Sequence, residues 1–211
     1  MKFLDRLDAA EQLSEALSAY RGSHPLVLAI PRGAVPMGRV ISQRLGGDVD
    51  VVLVRKLRYP GSPELAMGAM GASGWTYLNP QLSASVSAHD LAKEKAYQLE
   101  VLHAREVGYF HDREPISPQG RTVVVVDDGM ATGATMLAAL ESIWSQRPKK
   151  LICAVPVASS QALDLIRPWC DHVVCLNEAT DFMAVGQFYE NFDQVQDDQV
   201  LNILQSAHLQ A

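Results

Sequence analysis

The apolar positions of this chain fall into short, nearly continuous runs that alternate with stretches of helical spacing. LVLAI (26–30), VDVVLVR (49–55), TVVVV (122–126), KLICAVPV (150–157) and HVVCL (172–176) are apolar, rich in β-branched residues and bounded by turn formers. Strands buried on both faces read this way, because neither face alternates with water. VPMGRVISQRL (35–45), ATMLAALESIWSQ (134–146) and SQALDLIRPW (160–169) lie between them with the length and period of crossover helices. The pattern predicts an α/β fold with a doubly wound, mainly parallel, five-stranded sheet and flanking helices. Residues 57–120 break the alternation. There LAMGAM and GWTYL predict a hairpin or flap, and a long helix is expected from about Ala88 to Tyr109, before Pro115 and Pro118 mark a loop. The stretch 177–211 is expected to form a small hood, so that 1–211 reads as a single domain with a flap and a hood.

Composition narrows the chemistry. With 211 residues and 48% hydrophobic content the chain can bury one substantial core. A formal net charge of -6 argues against a nucleic-acid backbone as partner, since such proteins carry a basic footprint. Any anion must be bound locally. Cys153, Cys170 and Cys175 are an odd number without metal-ligand spacing and read as reduced apolar fillers. No apolar run approaches the ~20 residues of a membrane span, and MKFLDRLDAAEQL does not resemble a signal peptide. No membrane partner and a cytoplasmic location are expected.

The run VVVVDDGMATGAT (123–135) places Asp127 and Asp128 at the carboxyl end of a buried strand, before a glycine- and threonine-rich entry into a helix. Backbone N–H groups of such a loop, together with the positive end of the helix dipole, suit a phosphate. Gly129 and Gly133 permit tight turns, and Thr132 and Thr135 add hydroxyls. No lysine follows the second glycine, as a P-loop requires, and there is no G-x-G-x-x-G. Phosphate binding beside two carboxylates suits a ligand that also carries vicinal hydroxyls or a metal. A ribose 5-phosphate meets that description.

The same thirteen residues resemble the signature of the type I phosphoribosyltransferases: an apolar strand, two acidic residues and a loop ending T-G-x-T. The resemblance implies that Asp127 and Asp128 hold the ribose hydroxyls, directly or through magnesium-bound water. It also implies that Gly129, Met130, Ala131, Thr132, Gly133, Ala134 and Thr135 bind the 5-phosphate. AIPRGAVPMG (29–38) is similar to the family's pyrophosphate loop, with Arg32 and Gly33 as its candidates and a non-proline cis peptide expected between Pro31 and Arg32. VRKLRYPGSPELAMG (54–68) is similar to the mobile loop of the adenine and orotate members. It offers Arg55, Lys56 and Arg58 to the pyrophosphate and Glu64 as a candidate catalytic group.

The ending GQFYENFDQV (186–195) resembles that of a bacterial subgroup of the family. It implies that Phe182, Phe188 and Tyr189 help to wall a base site, although an aromatic cluster equally suits packing of the hood. Hypoxanthine-guanine members carry an aspartate where this chain has Ala131, which disfavours a 6-oxopurine acceptor. The expected activity is a magnesium-dependent transfer of ribose 5-phosphate from phosphoribosyl pyrophosphate to a small nitrogenous acceptor, a nucleobase above all, by a homodimer. The alternative is a non-catalytic regulatory protein that binds phosphoribosyl pyrophosphate. Arg32 and Lys56 beside the acidic pair favour the enzyme.

Overall fold

The structure, a computed structural model, describes residues 2–111 and 113–208, apart from the side chains of Pro63, Glu64 and His208. The chain begins with α1 (Arg6–Ala16), β1 (Leu26–Ala29), α2 (Ala34–Leu45) and β2 (Asp48–Val51). It continues through β3 (Val54–Tyr59), β4 (Ser62–Gly71), β5 (Thr76–Leu78), α3 (Pro80–Ser83) and α4 (Ala88–Phe110). The second half holds β6 (Thr122–Val126), α5 (Ala134–Trp144), β7 (Lys150–Ser159), α6 (Ser160–Ile166), β8 (His172–Ala179) and α7 (Asp197–His208).

Five strands form one sheet in the order β2-β1-β6-β7-β8, every neighbouring pair parallel. Successive side chains of a strand point to opposite faces, and here both faces are covered. Val27, Ala29, Val124, Val126, Ile152 and Ala154 pack with Leu13 of α1 and Met37 and Ile41 of α2. Their neighbours Leu26, Leu28, Val123, Val125, Leu151 and Cys153 pack with Leu137 and Leu140 of α5 and Leu163 of α6. This two-sided burial is why the strands read as continuous apolar runs. All three cysteines are free thiols, and burial raises the pKa of each, as inert fillers require.

The run 49–55 is two strands rather than one. β2 pairs with β1 only as far as Val51 opposite Ala29, with one further bond from Val52 N–H to the Ala29 carbonyl. β1 ends there and turns at Pro31, so Leu53 and Val54 have no partner in that sheet. The chain peels away as β3 into a separate antiparallel sheet, β3-β4-β5. The segment expected as a loop is thus a hairpin. It turns at Gly61, whose φ of 77° suits glycine, and is anchored by the fully buried Leu57 and Met67. α4 packs along β3, Arg58 forming a forked ion pair with Glu94. Besides the single turn α3, two longer helices lay outside the sequence pattern. α1 buries a narrow stripe of Ala9, Ala10 and Leu13, and α7 buries Val200 and Leu204.

The buried Asp50 of β2 ties the loop after α4 to the sheet. Its carboxylate accepts from Arg113 Nη2 at 2.6 Å and Nη1 at 2.9 Å, and from the N–H groups of Ile116 and Val51. Removing one partner of such a pair strands the other charge. Asp50→Ala should therefore lower stability by about 3–5 kcal/mol, read from urea unfolding. A loss under about 1 kcal/mol would place the anchor elsewhere.

Candidate active site

The sheet order reverses direction between β1 and β6. From β1 the chain crosses to β2 on one side, and from β6 it crosses to β7 and β8 on the other. The connections leaving these two strands diverge, which opens a crevice at their carboxyl ends. Ala29 lies opposite Val126, and Ile30 N–H donates to the Val126 carbonyl at 2.9 Å, so the two turns start side by side. One is Pro31-Arg32-Gly33. The other begins with Asp127 and Asp128.

The loop from Gly129 to Thr135 is seated against the neighbouring strand. Met130 N–H donates to the Val157 carbonyl at 2.9 Å, and the Met130 carbonyl accepts from Ser159 N–H at 3.0 Å. Ser159 Oγ donates to the Ala131 carbonyl at 2.6 Å while also capping α6. Gly129 has no room for a side chain, since a Cβ would come within 2.5 Å of Val185 Cγ1. Gly133 opens α5 with φ 76° and supplies no side-chain cap, so the first N–H groups of the helix are left for another acceptor. The whole run, with Asp127 and Lys56, lines a cleft of about 320 Å³. Uncapped N–H groups at a helix start, opposite a lysine, suit a phosphate.

The two aspartates face different spaces. Asp127 lines the cleft of the 129–135 loop, whereas Asp128 lines a neighbouring cleft of about 300 Å³ with Arg6, Arg32, Gly33, Val185 and Phe192. Asp127 Oδ1 accepts from the Asp128 N–H at 2.9 Å. Asp128 Oδ2 accepts from Arg6 Nε at 2.8 Å, and the Asp128 carbonyl accepts from the Tyr189 hydroxyl at 2.6 Å. Burial raises the pKa of both carboxyls. The neighbouring Asp128 adds to the effect at Asp127, and Arg6 offsets part of it at Asp128. Burial thus disfavours the charged form of both, and a nearby cation or hydroxyl donor would offset that cost.

The peptide between Pro31 and Arg32 is cis, as expected. Arg32 Nη1 donates to Asp197 Oδ2 of α7 at 3.3 Å, and Tyr109 donates its hydroxyl to the other oxygen of that carboxylate at 2.6 Å. The Tyr109 bond first, and the nearby arginines after it, hold the Asp197 pKa below its ordinary value. On the flap, Arg55 Nε donates to Gln98, and burial with the adjacent Arg105 and Arg58 lowers its pKa. Arg55, Lys56, Arg58, Arg105, Pro31 and Thr135 line a cleft of about 290 Å³, so the flap's basic residues meet both turns.

Of the predicted residues, 129–135, Asp127 and Lys56 come together in one cleft, and Arg32 and Gly33 join Asp128 in the next. Glu64 lies on β4, and its side chain is outside the described residues. Phe188 and Tyr189 are core: both are buried, and Tyr189 stacks on Phe3 and Phe192. Phe182 packs on Phe188 with ring centroids 5.0 Å apart. Phe188 and Tyr189 thus serve the packing of the hood, while Phe182 is only half-buried. The hood lines the clefts instead with Val185 and Phe192. Sequence reasoning missed Arg6, Gln98, Arg105 and Asp197. Only Arg6 had a local signal, the helix-capping Asp5 that precedes it.

Comparison with known proteins fits this geometry. Residues 4–193 match the model of the phosphoribosyl transferase domain family. Two Mycobacterium tuberculosis proteins, from strains CDC 1551 and H37Rv, each named "Putative phosphoribosyl transferase", are 39% identical over 210 residues. The match covers 98% of this chain and 47% of theirs, so the chain spans about half the length of the curated relatives it matches. The crystal structure of TT1426 from Thermus thermophilus superposes with a TM-score of 0.82 at 42% identity, covering 98% of this chain and 99% of that one. AQ2163 from Aquifex aeolicus shares the fold alone, with a TM-score of 0.51 at 14% identity and 94% and 82% of the two chains covered. On the strength of the family match and the 42%-identical structure, the chain belongs to the phosphoribosyl transferase domain family.

Proposed function

We propose that the chain transfers ribose 5-phosphate from phosphoribosyl pyrophosphate to a small nitrogenous acceptor, with release of pyrophosphate. The observation that carries this reading is the single cleft in which an uncapped helix start, Asp127 and Lys56 face one another. Phosphate oxygens accept from the N–H groups of 131–135, which also anchors the ribose. Asp127 accepts a ribose hydroxyl. Arg32, the N–H groups of its turn, and Arg55 and Lys56 from the flap surround the leaving diphosphate. Positive charge grows on the ribose ring as that bond breaks, and the buried carboxylates stabilise it electrostatically. Orientation contributes the rest, since the acceptor nitrogen must lie in line with the departing oxygen.

The donor set fits magnesium. Two buried carboxylates alone do not make a metal cage, and no cluster of three ligating side chains occurs among the described residues. Magnesium is commonly held by one or two carboxylates together with substrate phosphate oxygens, so Asp127 and Asp128 would hold it with the ligand. When bound it would neutralise charge on the leaving diphosphate. A nucleobase is the proposed acceptor, Ala131 disfavouring a 6-oxopurine. A homodimer in the cytoplasm is the proposed state.

Asp127→Asn removes a charged acceptor. Affinity for phosphoribosyl pyrophosphate with magnesium, measured by calorimetry, should fall roughly 10- to 100-fold, as loss of a charged hydrogen bond does. Unchanged affinity would remove the assignment.

Gly33→Ala tests the second cleft, because its Cβ would collide with Asp128 Oδ2. We expect the same affinity to drop by about 10-fold or more, as for a displaced binding group. Gly71→Ala, whose Cβ meets nothing nearer than 3.5 Å, should leave it unchanged. Equal effects of the two changes would contradict the placement of Gly33.

A further inference from the structure

Phe3-Leu4-Asp5-Arg6 belongs to none of the motifs above, yet it reaches the centre of the site. Phe3 is fully buried. Its N–H donates to the Phe188 carbonyl and its carbonyl accepts from Glu190 N–H, both at 2.8 Å. Asp5 caps α1, its side chain accepting from the N–H groups of Leu7 and Asp8. Arg6 therefore leaves the first helical position in a fixed direction.

Its guanidinium is held on three sides. Nε donates to Asp128 Oδ2 at 2.8 Å, Nη1 donates to the Asp193 carbonyl at 2.7 Å, and the planar face lies 3.7 Å from the centroid of the Phe192 ring. The two charged side chains are only 12% and 16% exposed. A surface ion pair is loose and screened by water, whereas this one is largely buried and braced on three sides. It also presses on the diphosphate turn: a Cβ on Gly33 would lie 3.1 Å from Arg6 Nε as well as against Asp128. The glycine of that turn makes room for the pair.

The geometry points to Arg6 as a positioning residue for phosphoribosyl binding, fixing Asp128 against the Arg32-Gly33 turn while the hood segment Tyr189–Asp193 fixes Arg6. This inference rests on the phosphoribosyltransferase reading. Arg6 takes one oxygen of Asp128 and leaves the other to the ligand, so the carboxylate presents one orientation. Phe192 and the Asp193 carbonyl prevent the guanidinium from swinging into the cleft after the ligand. The N-terminal segment and the hood, far apart in sequence, thus act on the site as one brace.

The test compares wild type with Arg6→Ala, Arg6→Lys and the surface control Arg44→Ala. Binding of phosphoribosyl pyrophosphate with magnesium is followed by calorimetry, and folding by thermal melting, with and without ethylguanidinium. Arg6→Ala should weaken binding about 100-fold, the size of effect a misplaced group produces. Ethylguanidinium should restore at least 10-fold of that loss. Arg6→Lys should recover only part, since lysine lacks the planar fork, and Arg44→Ala should match wild type. If Arg6→Ala binds as wild type does, the role is overturned. It is overturned equally if binding falls only as melting collapses and neither lysine nor ethylguanidinium restores it. If wild type itself takes up no phosphoribosyl pyrophosphate, the parent reading fails along with this inference, an outcome distinct from both.

Discussion

The parallel pairing of β1 with β6 is the contact on which the rest of the site depends. Register places Ala29 opposite Val126, and the Ile30 to Val126 bond closes the last rung before both chains turn away. From that rung one chain makes the cis turn carrying Arg32 and Gly33, and the other presents two carboxylates and the glycine-rich loop that opens α5. A one-residue slip would exchange the sheet faces of every side chain. Both faces are fully packed, so the core itself fixes the register, and through it the spacing of the two turns.

Around this rung the site is assembled from charges that already have partners. Asp128 is met by Arg6, Arg32 by Asp197, Arg55 by Gln98, and Arg58 by Glu94. Buried or half-buried charges are costly without such partners. Each partner comes from an element outside the five-stranded sheet: α1, α4 or α7. Lys56 is exposed on the cleft wall, and the N–H groups at the start of α5 have no side-chain cap. These two features leave the cleft at the start of α5 open, while Arg32 is held by α7 and Asp128 by α1.

The sheet was legible because its two-sided burial wrote itself into the sequence as unbroken runs, and the loop opening α5 because glycine, threonine and acid occupy fixed offsets after such a run. The break at Val52 was not legible. VDVVLVR is as apolar after Val51 as before it, and only the ending of its partner strand at Ala29 divides it. Nor could the role of the hood aromatics be read. Phe188 and Tyr189 look alike as core or as a cleft wall, and the deciding contact, Tyr189 with the Asp128 carbonyl, joins residues distant in sequence. Arg6 was hidden for the same reason, since its partners Asp128, Phe192 and Asp193 are all remote.

If the turns leaving β1 and β6 hold one ligand between them, a crystal structure with phosphoribosyl pyrophosphate and magnesium will show it. The 5-phosphate should lie on the N–H groups of residues 131–135, a ribose hydroxyl on Asp127, and the diphosphate against Arg32 and Gly33. A ligand seated elsewhere, or one whose phosphate leaves the 131–135 loop empty, would contradict this arrangement.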